Sequence, residues 1–140
     1  MMQARHLAAL CAAAFSSTLA SCANLPAPQR LEGTQWNVVA LDGEAVTAQP
    51  PPTLAIDAQG RVSGSDGCNR FSGGLSFDAS GSAQADGHGI STKMACIGER
   101  DALSRRYNAL RSGVTNWRVE QGTLVLSTRE GRTIRLRPAI

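Results

Sequence analysis

Apolar and polar positions alternate in short runs along most of the chain, and glycines separate the runs. Trp36, Val38 and Ala40 alternate with Gln35, Asn37 and Val39, which predicts a strand with one mainly apolar face. Asp42-Gly43 is a turn signal. Pro50-Pro51-Pro52 cannot donate to a ladder, so this run marks a sheet edge or a loop. Residues 53–57 read as the next strand, Gln59-Gly60 turns the chain, and 61–64 returns it. Phe71 and Phe77 stand in a glycine-rich stretch that predicts a further strand pair, with turns at Ser80-Gly81 and Asp86-Gly87.

The period then changes. Residues 99–111 contain neither glycine nor proline, and Ala102, Leu103, Tyr107 and Leu110 fall on one face at helical spacing. Arg105, Arg106 and Arg111 suit the negative end of the helix dipole, and Gly113 suits the position just past the helix end. Three strands follow. Residues 115–120 place Trp117 and Val119 on one face, 123–128 place Leu124 and Leu126, and 133–137 place Ile134 and Leu136 opposite Thr133, Arg135 and Arg137. Gln121-Gly122 and Arg129-Glu130-Gly131 are the turns between them. This order predicts an α+β domain, mainly β: a mostly antiparallel sheet or partly closed barrel with one covering helix at about 99–112. The absence of a βαβ rhythm argues against a Rossmann-type sheet.

Composition divides the chain. All 14 glycines lie at or after Gly33, whereas residues 1–25 carry a single charged side chain, Arg5. A length of 140 residues allows one domain. No apolar run reaches the roughly 18 to 20 residues of a membrane-spanning helix. Arg5 and His6, the apolar run 7–15 and the small polar Ser16-Ser17-Thr18 form the tripartite pattern of a secretory signal peptide. Its end, Leu19-Ala20-Ser21-Cys22, resembles the lipobox of bacterial lipoproteins. That resemblance implies cleavage after Ser21, lipid on Cys22, and the membrane as a partner through that lipid, since two or three acyl chains anchor a protein stably where one does not. Ala23 stands where Asp favours inner-membrane retention in enteric bacteria, so the expected site is the outer membrane, facing the periplasm. The expected division is a lipoprotein signal over 1–21, a proline-containing tether over 22–29 and a domain over 30–138.

Charge adds little. Lys and Arg number 14 against 11 Asp and Glu, a net +3 with no basic tract, so nucleic acid is not an expected partner. Cysteine adds more. Cys11 leaves with the signal and Cys22 takes the lipid, so Cys68 and Cys96 have one intramolecular pairing open to them in an oxidising compartment. Closing a loop of that size stabilises by roughly 3 to 4 kcal/mol. The alternatives are two free buried thiols or a metal site, for which two Cys and His88 make a poor zinc set.

The densest constellation runs from Gly64 through Asp66, Cys68, Asn69 and Arg70 to Gly74. It can be a binding loop in which glycine amides and Arg70 hold an anion, with Asp66 and Asn69 shaping the turn. It can also be a tight turn stapled by a disulfide, the reading favoured here because no Lys-Ser/Thr end of a phosphate loop follows. Cys68 as a nucleophile would need His88 as its base, and His88 stands in the flexible turn Asp86-Gly87-His88-Gly89. No catalytic residue, metal or cofactor is expected. Arg105, Arg106 and Arg111 could form a basic strip for phospholipid headgroups or an acidic partner, but a solvated helix face is the simpler reading.

Several motifs together resemble a known family. Leu31-Glu32-Gly33-Thr34-Gln35-Trp36 opens the domain, Gly67-Cys68-Asn69-Arg70-Phe71 and Thr92-Lys93-Met94-Ala95-Cys96 follow, and Leu124-Val125-Leu126 closes the pattern. Over about 30–138 the chain resembles the META domain family, and more narrowly the HslJ-like heat-shock lipoproteins of Gram-negative bacteria. The resemblance implies a small β-rich domain with one helix, lipid-anchored or secreted and associated with envelope stress. It also places both cysteines inside the two motifs, in keeping with a Cys68–Cys96 disulfide. The function expected is an accessory or stress-protective role without catalysis, with an envelope protein as a partner. The alternatives are a small-molecule binding module using the mouth or interior of a barrel near Trp36, Phe71 or Trp117, and an inhibitor or partner-binding domain with an exposed apolar patch.

Overall fold

The structure is a computed structural model, and it describes residues 29–140. The expected signal segment, Cys22 with its lipid and residues 22–28 of the tether lie outside the described residues.

In chain order the strands are β1 (Thr34–Leu41), β2 (Glu44–Ala45), β3 (Thr53–Ile56), β4 (Val62–Ser65), β5 (Arg70–Ser72), β6 (Leu75–Phe77), β7 (Ala83–Ala85) and β8 (Ile90–Ser91). Helix α1 (Glu99–Arg111) follows, then β9 (Val114–Glu120), β10 (Thr123–Thr128) and β11 (Thr133–Pro138). The main sheet runs β8-β5-β4-β3-β1-β11-β10-β9, with the short β2 added on β1. Every pairing is antiparallel. The fold is therefore α+β, mainly β, as the pattern predicts, and the sheet is not closed into a barrel. The separate β6–β7 hairpin lies against β9, where Ser82 bridges Asn116 and the Trp117 amide donates to the Gly81 carbonyl at 2.8 Å.

Strand β1 organises the sheet because it pairs with both the N-terminal and the C-terminal strands. Trp36, Val38 and Leu41 supply its buried positions, and the register shifts between Val38 and Ala40. That shift carries the buried face from the even positions to Leu41. The turn signals hold: Asp42-Gly43 and Gln121-Gly122 have φ of 49°, 81° and 48°, 78°, the paired left-handed conformation of a two-residue hairpin turn.

The core joins Leu54, Ile56, Val62 and Phe71 from one half of the sheet to Leu124, Leu126, Ile134 and Leu136 from the other, with Tyr107 and Leu110 of the helix packed among them. The helix bounds fall where the sequence places them, but its buried face is rotated. Ala102 is exposed, Leu103 is half-buried, and Ser104 is buried with Tyr107 and Leu110. Gly113 does not take the left-handed cap conformation; the helix ends through Ser112 in the right-handed region, with the Gly113 amide on the Leu110 carbonyl at 3.0 Å. Val125 is also fully buried, although its neighbours Leu124 and Leu126 already face the core. By register it stands opposite Arg118 and Arg135, both of which pair with Glu120.

Candidate functional site

The Gly-rich motif forms the connection between β4 and β5, and Asp66 organises it. One carboxylate oxygen accepts the amides of Cys68 at 2.8 Å and Asn69 at 2.6 Å, and the other accepts the Asn108 side-chain amide at 2.7 Å. Only 2% of Asp66 is exposed. That exposure reflects close cover by its own loop and by α1 rather than depth, so the carboxylate stays charged. Burial pushes its pKa up, but the Asn69 amide, the Asn108 side chain, the Cys68 amide and the Ser104 hydroxyl outweigh it and hold the carboxyl below its ordinary value.

Asn69 turns the other way. Its side-chain oxygen accepts the Met94 amide at 2.6 Å and the Thr92 hydroxyl at 2.9 Å. The Arg70 backbone completes the attachment, exchanging bonds with Thr92 while its side chain is exposed. Cys68 and Cys96 form a disulfide with their Cα atoms 6.0 Å apart. Of the expected loop residues, Asp66 and Asn69 thus have their polar atoms bound within the protein, and Arg70 points to solvent. Cys68 carries no free thiol, and His88 stands exposed in its turn with its backbone amide on Asp86. Among the described residues no three His, Cys, Asp or Glu side chains gather as a metal set. No described helix is long and apolar enough to cross a membrane.

The three helix arginines part company. Arg105 pairs with Asp101 at 2.9 Å and Arg106 with Glu44 at 2.8 Å, both exposed pairs. Arg111 instead lies half-buried over the Phe71 ring, its guanidinium carbon 3.7 Å from the ring centroid. Its Nη2 donates to the Asn108 oxygen at 2.9 Å, so Asn108 links it to Asp66. Its Nε is buried with no hydrogen-bond partner among the described residues. Burial pulls the Arg111 pKa down, and the fields of Tyr107 and Asp66 oppose that pull. Tyr107 is fully buried, its hydroxyl donating to the Thr53 carbonyl at 3.1 Å, and burial raises its pKa strongly.

Phe71 can offer its face to Arg111 because residue 64 has no side chain. A Cβ on Gly64 would stand 2.8 Å from the Phe71 ring and 2.2 Å from the Thr53 carbonyl oxygen. Beside the ring, Arg111 looks into a cleft of about 470 Å³ bordered by Gly74, Asp86, Gly89, Ile90 and Ser112. A wider depression of about 760 Å³ lies at the β9–β10 turn, but there Arg135 is already paired with Glu120. Of the tryptophans, Trp117 borders a cleft of about 280 Å³ beside residues 29–32, and Trp36 is buried in the core. The sequence points to Phe71 as a residue near a binding site, but at the mouth of a barrel; it does not reveal the Arg111 guanidinium over the ring or a cleft beside an open sheet. The cleft's one sequence signal is an arginine at the end of the buried helix stripe.

Comparison with known proteins adds the family. The family model described as the META domain matches residues 29–139. Two solved structures, both determined by NMR, share the fold. One has a TM-score of 0.62 and 22% identity over 81% of this chain and 95% of its own. The other, from Burkholderia xenovorans, has a TM-score of 0.58 and 20% identity over 97% of this chain and 98% of its own. No curated protein matches the chain.

Proposed function

The chain belongs to the META domain family, which is not a known enzyme family, and from that premise we propose that it is a non-catalytic, lipid-anchored envelope protein that acts by binding a partner. One observation carries the reading. The disulfide and the Asn69 bonds pin the segment before α1 to the β4–β5 connection, and that pinned segment displays Met94 at 60% exposure and Ile97 at 90%. Large apolar side chains on a tethered, solvent-facing segment suit a partner surface better than a core. A disulfide also suits a protein that has left the cytosol. The lipobox-like Leu19-Ala20-Ser21-Cys22 supplies the anchor, with Ala23 favouring the outer membrane, periplasmic face. The resemblance to HslJ-like lipoproteins supports a role in envelope stress.

Two measurements test this reading. Cys22→Ala should move the protein from the membrane fraction to the soluble fraction; retention in membranes refutes the anchor. A photo-crosslinker at residue 97 should give a discrete adduct in intact cells, absent when Met94 is changed to Asp and absent from a crosslinker at Gln121. A chain without a residue-97 adduct has no partner on this surface.

A further inference from the structure

We propose that the cleft between Phe71 and the β6–β8 region is a binding site for a small carboxylate with an apolar body, and that Arg111 is its anchor. The proposal does not use Met94 or Ile97, so it stands or falls separately from the partner surface.

Arg106 and Arg105 have carboxylate partners, but Arg111, more buried than either, has none in contact among the described residues. Asp66 offsets its charge from a distance, reaching it only through Asn108. A half-buried cation without a counterion is unfavourable unless something completes its shell. One N–H of Nη2 is taken by Asn108, and Nε is enclosed. Among the described residues no acceptor bonds Nη1, which lies 4.0 Å from where a Cβ would stand on Gly74, a residue that also borders the cleft. Of the N–H groups left over, the two on Nη1 are thus the ones beside the cleft wall.

The guanidinium plane is held by the Phe71 face on one side and by the Asp66–Asn108 relay at its edge. An anion arriving at Nη1 therefore meets a donor whose orientation is already set, which lowers the ordering cost of binding. Gly74 and Gly89 pack so closely that a Cβ on either would come within 3.1 Å of the other's Cα, leaving no side chain between them. Ala85 and Ile90 then supply apolar lining, with Ile90 73% exposed and so free to be covered. A cavity of about 470 Å³ is within the ordinary size for a small-molecule site.

The same residues choose the ligand class. One cation and one nearby carboxylate, Asp86, suit a singly charged anion and disfavour a dianion such as phosphate. Phe71, Ala85 and Ile90 suit an apolar body attached to it.

Sodium benzoate, its neutral analogue benzamide and inorganic phosphate are the probes. Each is titrated into the intact, isotope-labelled protein while the Arg111 Nε–H and the Gly74, Gly87 and Gly89 amide signals are followed by NMR. Benzoate should move these signals saturably and benzamide should not. Arg111→Gln should weaken benzoate binding by about tenfold or more, and Arg111→Lys, which keeps the charge, should retain the preference for benzoate over benzamide. Equal response to benzamide, an unaltered titration in a folded Arg111→Gln protein, or a response to phosphate without one to benzoate would each overturn the assignment. If Arg111→Gln does not fold, the benzoate–benzamide comparison on the unmodified protein decides.

Discussion

Asp66 and Arg111 are an opposite-charge pair that never touches: Asn108 stands between them, giving its amide to Asp66 at 2.7 Å and accepting from Arg111 at 2.9 Å. The relay ties the β4–β5 connection to the last turns of α1, so the loop and the helix are positioned by one asparagine.

Acid should loosen this joint. The Asp66 carboxyl is held below its ordinary value in the folded protein. Its ionised form therefore stabilises the fold fully above the unfolded-chain value of about 4, and the contribution is lost as pH falls through the folded value. Asp66→Asn should lower the melting temperature at neutral pH and flatten its decline in acid, and Asp66→Ala should cost about 2 to 4 kcal/mol. Thermal unfolding across acid pH checks both. Parallel curves for the native protein and Asp66→Asn would mean that the carboxylate's charge plays no part.

Gly64 should tolerate no side chain. Gly64→Ala would push a methyl group into the Thr53 carbonyl and the Phe71 ring, and about 3 kcal/mol of destabilisation is expected. Gly131→Ala meets open space and bears only the strain of its φ of 81°, about 1 to 2 kcal/mol. Denaturant melts should rank them in that order; the reverse order would show that the strand pair can open without loss.

Breaking the disulfide should act locally and globally at once. Replacing Cys68 and Cys96 by Ser should cost roughly 3 kcal/mol. Because Asn69 still binds Met94 and Thr92, residues 92–94 should keep more hydrogen-exchange protection than residues 95–98. Uniform loss of protection across 92–98 would show that the covalent bond alone holds the segment.

Much of this fold is legible because it is local. Strand periodicity, glycine turns and the helical spacing of Leu103, Tyr107 and Leu110 are written within a few residues of one another, and they locate β1, the C-terminal strands and α1. What is not legible depends on distant partners. Ser104 reads as a surface residue, yet it is buried facing the Asp66 loop. Val125 reads as outward, yet it is fully buried, opposite Arg118 and Arg135 on the neighbouring strands. Arg111 reads as one member of a basic strip, and only the register that brings Phe71 over Gly64 reveals the ring beneath it. Asp66, Asn69 and Arg70 are recognisable as a cluster, but which of them turns inward is decided by residues 22 to 42 positions away.

An open sheet leaves two flanks on which a second copy could grow, and this protein blunts both. On one side the β6–β7 hairpin occupies β9: the Trp117 indole donates to the Asp78 carbonyl at 2.8 Å, and Arg118 and Glu120 put charge along the rest. On the other, β8 offers only Ile90 and Ser91. A second copy would find little backbone to pair with, so the hairpin that looks like an appendage to the fold covers the edge most open to strand addition.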